Sequence, residues 1–164
     1  MHVIDGYSIE ATANVIRSHV LAMYIPSLVS GFLIEKYGLN KIMSIGVIGL
    51  LGASLAGMSG TSVFMYWLAL VLLGVGWNFL YVGGTTMLTY TYEPNERFKA
   101  QGLNEFCVFG ISAFGSLLAG TIMYKFGWFA LVIIPIPFLL MIGVGLIVTN
   151  TEVSSLVLKK RVEN

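Results

Sequence analysis

The chain has 164 residues, of which 57% are hydrophobic and only 10% charged, with a formal net charge of +1 and a mean hydropathy of +0.85. That composition leaves too little polar surface to coat a soluble globule, and the near-neutral charge offers no field for nucleic acid. A single cysteine, Cys107, excludes an internal disulfide framework.

A helix needs roughly 20 apolar residues to cross a hydrocarbon core of about 30 Å, and five stretches qualify. Residues 1–14 precede them. This segment carries Asp5 and Glu10 and has no basic region ahead of an apolar core, so it reads as an extracytoplasmic segment and not as a signal peptide. The first span is expected over residues 15–34, with Arg17 and His19 in its first turns and a polar connection, residues 35–41, after it. The second covers residues 42–58 and sets Gly49, Ala53 and Gly57 at four-residue spacing, a seam that lets backbones approach. The third covers residues 63–88 and contains Asn78; a polar loop, residues 92–101, follows it and includes Pro94. The fourth covers residues 103–123, with Glu105 about one turn inside and a second small-residue seam at Ser112, Ser116 and Gly120. After a short turn the fifth covers residues 128–148, where Pro135 and Pro137 mark a kink, and residues 149–164 form a tail. The expected fold is an all-α polytopic transmembrane bundle.

Basic residues resist translocation across the membrane, so their placement orients the spans. Lys36, Lys41, Arg97, Lys99, Lys159, Lys160 and Arg161 fall on one side under strict alternation; Lys125 and Arg17 fall on the other. The tail is therefore expected in the cytoplasm and the N-terminus outside.

The first and fourth spans share a pattern. Ser27-Leu28-Val29-Ser30-Gly31 leads to Lys36-Tyr37-Gly38, and Ser116-Leu117-Leu118-Ala119-Gly120 leads to Lys125-Phe126-Gly127. Two copies three passes apart enter the membrane in opposite directions, which makes an inverted-topology repeat of the kind secondary transporters use. Units of three helices then leave the first unit without its leading helix, so a preceding span and an N-terminal transporter half are expected partners. The competing reading is that small residues followed by a glycine suit any helix exit.

The loop after the first span holds Gly31, Leu33, Glu35, Lys36, Gly38 and Lys41, a degenerate form of the gating-loop motif of the major facilitator superfamily. Glu35 stands where that motif has Asp, and Leu39 and Asn40 stand where basic residues are usual. Together with His19-Val20-Leu21-Ala22-Met23, Pro26-Ser27, Gly76-Trp77-Asn78-Phe79, Gly83-Gly84 and Gln101-Gly102-Leu103-Asn104, the chain resembles bacterial drug-exporter-like members of that superfamily. The resemblance implies the eighth to twelfth helices of twelve, alternating access, and the first, third and fourth spans on the central path.

Charges within a span are costly and usually face a cavity, a partner or an ion route, which singles out Arg17, His19 and Glu105 as substrate or coupling candidates, with Asn78 beside them. Arg17 can also snorkel to the interface, and His19 reads as a proton carrier or equally as a packing histidine. Glu105 reads either as an interfacial carboxylate or as one that exchanges a proton; Asn78 reads as a solute contact or an interhelical staple. Gly57-Met58-Ser59-Gly60 resembles an intramembrane serine-protease motif, but His2 and His19 both precede it, so no later histidine serves as its base. No metal-binding, phosphate-cradling or paired-carboxylate motif is present, so neither a cofactor nor a metal is expected. The expected function is passage of a small solute, with a proton as the coupling ion, through the bacterial cytoplasmic membrane. A non-transporting remnant or helix-binding scaffold is the rival.

Overall fold

The computed structural model describes residues 5–148, so the cytoplasmic tail expected at residues 149–164, with Lys159, Lys160 and Arg161, lies outside the described residues. Within them the regular elements are helical: α1 (Ile9–Tyr24), α2 (Ser27–Tyr37), α3 (Leu39–Met58), α4 (Val63–Leu88), a 3-10 turn (Pro94–Glu96), α5 (Arg97–Ile133) and α6, residues 135–148. α3, α4 and the run Pro94–Val148 are each long and apolar enough to cross a membrane, and α1 with α2 makes a further, bent span.

That first span differs from the single helix expected. It starts earlier, at Ile9, because the Ser8 hydroxyl accepts a hydrogen bond from the Ala11 amide and caps the first turn. It also bends by 43° between Tyr24 and Ser27, where Pro26 lacks the amide hydrogen that would continue the ladder. Apolarity alone does not register that break.

α3 and α4 form the centre, packed antiparallel through glycines. A Cβ added at Gly76 would lie 2.8 Å from the carbonyl oxygen of Gly46, and one at Gly49 would lie 3.4 Å from the Cα of Gly76. Ala53 of the same seam is buried, and Gly57 packs against Val132. At the end of the bundle that holds Gly38, the core gathers Leu39, Met43, Val47 and Leu146. The Gly127 end is held by polar contacts: the Trp128 Nε1–H donates to Gly57 O at 2.8 Å, and the Tyr66 ring meets Trp128 edge-on at 5.1 Å. Residues before α1 dock at the same end, where Tyr66 Oη donates to Asp5 at 2.9 Å and Tyr7 Oη to Thr61 O at 2.9 Å.

Residues 94–148 form a helical run of 55 residues that is broken within the turn expected at residues 124–127, where Gly127 leaves helical geometry. Straight, it would be about 80 Å long, more than twice a hydrocarbon core. Gly127 prevents this. Its φ of 77° and ψ of −177° are closed to other residues, and the chain reverses there. Before Gly127, Gln101 meets Tyr92 and Glu105 meets Tyr81; after it, Val132 lies against Gly57, Gly143 against Val47 and Leu146 against Leu39. Gly38, the matching glycine of the other repeat copy, has φ 93° and ψ 148°, so both copies end in the same rare backbone conformation.

α5 up to Gly127 is the exception to the packing. None of its residues is buried, Phe106 and Leu117 are more than three-quarters exposed, and the seam residue Gly120 has open space where a Cβ would stand.

Candidate functional site

α4 is the element on which the candidate residues converge. Apolar along its length, it can place a polar side chain inside the membrane only where a neighbour satisfies it. On one face, Asn78 is 4% exposed and sits opposite the bend between α1 and α2. Its Nδ2 donates to Met23 O at 2.8 Å, a carbonyl in the turn just before Pro26, and its Oδ1 lies 2.7 Å from the hydroxyl of Ser30. The Ser30 hydroxyl, fully buried, is also 2.7 Å from Pro26 O, so its one proton is shared between two acceptors. Asn78 thus clamps the break in the first span to α4.

His19 serves the same interface two turns away. Its Nδ1 lies 2.7 Å from Leu70 O; a carbonyl only accepts, so Nδ1 carries the hydrogen and the neutral ring keeps its lone pair on Nε2. Gly74, between Leu70 and Asn78 on this face, lets α1 come close: a Cβ there would be 2.8 Å from His19 O. Arg17 points elsewhere. It is exposed, and its Nη1 reaches only the Asn14 side chain at 3.4 Å.

Glu105 belongs to a different face. Its Oε2 accepts from Tyr81 Oη at 2.8 Å, and its Oε1 has only the Asn104 amide, at 3.4 Å. Four-residue spacing sets Trp77 and Tyr81 on one face, and the contacts turn Tyr81 towards α5 and Asn78 towards α1 and α2. The Trp77 and Tyr81 rings are nearly parallel, at 9° with centroids 6.4 Å apart, and Phe109 closes on Tyr81 at 6.3 Å. His19 and Asn78 are brought together; Glu105 and Arg17 are each set apart from them. The aromatic surroundings of Glu105 were not anticipated, although the four-residue spacing of Trp77 and Tyr81, and of Glu105 and Phe109, is visible in the chain.

The gating-loop residues lie at the turn between α2 and α3. Gly38 makes the turn through its positive φ, Glu35, Lys36 and Lys41 are exposed, and Gly31 has open space around it. The Lys36 ammonium lies over the Phe32 and Tyr37 rings, at 5.7 and 5.2 Å from their centroids. Ser59, from the protease-like motif, donates its hydroxyl proton to Leu55 O at 2.7 Å and serves the end of α3.

The family model described as Major Facilitator Superfamily matches residues 6–163. Among characterised relatives, the riboflavin transporter RfnT of Brucella anthropi is 41% identical over 123 residues, 75% of this chain and 31% of that protein. Two proteins of Bacillus subtilis, described as the uncharacterized MFS-type transporters YdeG and YddS, are 35% and 34% identical over 79% and 72% of the chain, and 30% and 28% of their own lengths. The chain thus spans about a third of the length of the relatives it matches. No solved structure matches.

Proposed function

The chain belongs to the major facilitator superfamily, and on that premise we propose that it is the C-terminal portion of a secondary transporter that moves a small solute by alternating access, coupled to protons. It is a multi-pass membrane protein, and the proposal places it in the bacterial cytoplasmic membrane with its C-terminus in the cytoplasm. The observation that carries the reading is the family match along almost the whole chain.

Three features of the fold support it. The repeat copies each end on a glycine with positive φ and extended ψ, Gly38 and Gly127, which agrees with an inverted repeat. α4 carries satisfied polar groups on two faces within an apolar span, Asn78 towards α1 and α2 and Tyr81 with Glu105 towards α5. α5 presents apolar side chains without cover among the described residues, which fits further helices of an N-terminal half lying against it. In this reading Glu105 is the carboxylate that gains and loses the coupling proton, Asn78 and His19 hold the bent span, and the reaction is passage without covalent chemistry.

Riboflavin is the first solute to try, since a relative 41% identical is described as its transporter. The test replaces the matching 31% of the Brucella anthropi riboflavin transporter with this chain and measures riboflavin flux in proteoliposomes. The proposal expects saturable flux from the hybrid and none from the 164-residue chain alone. A hybrid that inserts fully yet carries nothing would reduce the chain to a helix-binding scaffold, and flux from the chain alone would remove the need for a second half.

A further inference from the structure

Ser54 of α3 is a buried hydroxyl that the packing leaves over. Of the buried polar side chains, Ser30 and Asn78 lie 2.7 Å apart and answer one another. Hydroxyls within other helices, at Thr85 and Ser112, donate to the carbonyl four residues back, as Ser59 does at the end of α3. Ser54 is 7% exposed and has no hydrogen-bond partner among the described residues. A buried hydroxyl in that state is costly, so its persistence asks for a reason.

Ser54 borders a slot of about 320 Å³ between α3, α4 and residues 128–139. Two contacts set the register of its walls. A Cβ at Gly57 would stand 2.9 Å from Val132 and one at Gly143 would stand 3.6 Å from Val47, so α3 and residues 128–148 run antiparallel and Ser54 falls level with Pro135. Pro135 has no amide hydrogen, which leaves Leu131 O without the donor that a continuous helix would supply. Leu131 and Pro135 both border the slot. A lone donor on α3 and a lone acceptor on the facing segment thus look into one cavity at one level.

The remaining walls decide what can lie there. No charged side chain borders the slot, and Leu50, Leu70 and Leu139 are typical of its lining, so an ion would be desolvated without compensation. Water alone fits poorly, because it needs two to four polar partners, whereas apolar cavities of this kind stay dry and take apolar molecules. Trp128 and Leu139, at the two ends of the slot along its segment, are about 16 Å apart by helical rise. The volume over that length leaves width for one alkyl chain. A hydroxyl both donates and accepts, so a single one answers Leu131 O and Ser54 together.

We propose that this slot binds an uncharged aliphatic molecule with one hydroxyl, such as a medium-chain alcohol, whose hydroxyl accepts from Ser54 Oγ and donates to Leu131 O. The slot shares α4 with the expected central path, but its other walls belong to the second and fifth spans, which lie off that path. Occupancy does not depend on the chain being a transporter.

The test photolabels the purified 164-residue chain in lipid nanodiscs with 3-azioctanol, whose diazirine attaches it to whatever lies near its hydroxyl, and maps the adducts by mass spectrometry. 1-Octanol and 1-chlorooctane, alike in length and different in the hydroxyl, are the competitors. Labelling should saturate, fall on residues 50–54 and 131–135, and yield to octanol at a membrane concentration at least fivefold below that of chlorooctane. Ser54→Ala should weaken octanol about fivefold, the size of one hydrogen bond, and leave chlorooctane unchanged. Because this variant removes a hydroxyl that no other side chain or carbonyl uses, its thermal stability without alcohol should equal or exceed that of the wild type, which separates lost binding from lost folding. Pro135→Ala returns an amide to Leu131 O and should weaken octanol by a similar factor. Labelling that never saturates and spreads over the exposed side chains of α5 would mean partition into lipid and would overturn the site. Equal competition by octanol and chlorooctane, or by octanol in wild type and Ser54→Ala, would overturn the hydroxyl pairing and the proposed ligand with it. A Ser54→Ala chain less stable than wild type without alcohol would show that bound water already answers the hydroxyl, and would overturn the proposal as well.

Discussion

Asn78 ties together three groups that the bend in the first span would otherwise leave short of partners in a dry interior: its own amide, the Met23 carbonyl and the Ser30 hydroxyl. Asn78→Ala should therefore lower thermal stability in detergent by about 1–2 kcal/mol, and Ser30→Ala should add little on top of it because both remove one network. Additive losses would show that the two side chains act separately. At Glu105 the expected outcome separates structure from coupling. An amide oxygen can still accept from Tyr81, so Glu105→Gln should leave the amount of folded hybrid unchanged. If the carboxylate carries the coupling proton, pH-gradient-driven flux should fall at least tenfold, on the order of the rate change general proton transfer brings. Equal rates and equal pH dependence would remove Glu105 from coupling and leave His19, whose Nε2 is the site open to a proton, as the remaining titratable candidate.

At the scale of the element, two glycines decide where helices stop. Gly127 and Gly38 hold φ of 77° and 93° with extended ψ, a region essentially closed to residues with a Cβ. Gly127→Ala should cost about 1–3 kcal/mol, and because the alternative is a helix that runs straight on, it should also loosen residues 128–148 from α3. The measurement is protease accessibility at the Gly127 end, which should rise in the variant; unchanged protection together with unchanged stability would contradict the role given to this turn. Much of this level is legible in the chain. The apolar run at residues 63–88 has the same limits as α4, and the Lys-aromatic-Gly signature picks out both special turns. The bend at Pro26 is not legible from apolarity, because hydrophobic residues continue on both sides of it and only the missing amide interrupts the helix. Nor is the meeting of Tyr81 with Glu105. Each four-residue row can be read within its own helix, but which rows face one another depends on how α4 and α5 pack.

For the molecule as a whole, the tight part is α3 and α4 with the bent span on one side and residues 128–148 on another, while α5 up to Gly127 touches the rest chiefly through Glu105 and Phe109 on Tyr81 of α4 and Gln101 on Tyr92 of the loop after it. The proposal accounts for this uneven bundle by further helices lying against α5, since apolar faces in a membrane still gain from packing against other helices. The proposed orientation rests on the placement of the basic residues. In a Cys107→Ser background, cysteines placed at the exposed positions Glu35 and Asn95 should react with an impermeant reagent only from the cytoplasm, and one at Ser59 only from outside. Labelling of Glu35→Cys from outside in intact cells would invert the assignment. The most direct measurement of the central claim is riboflavin flux by the hybrid in which this chain supplies the matching part of the Brucella anthropi transporter. Saturable flux is the predicted result; an inserted, folded hybrid with no flux above empty vesicles would contradict the account.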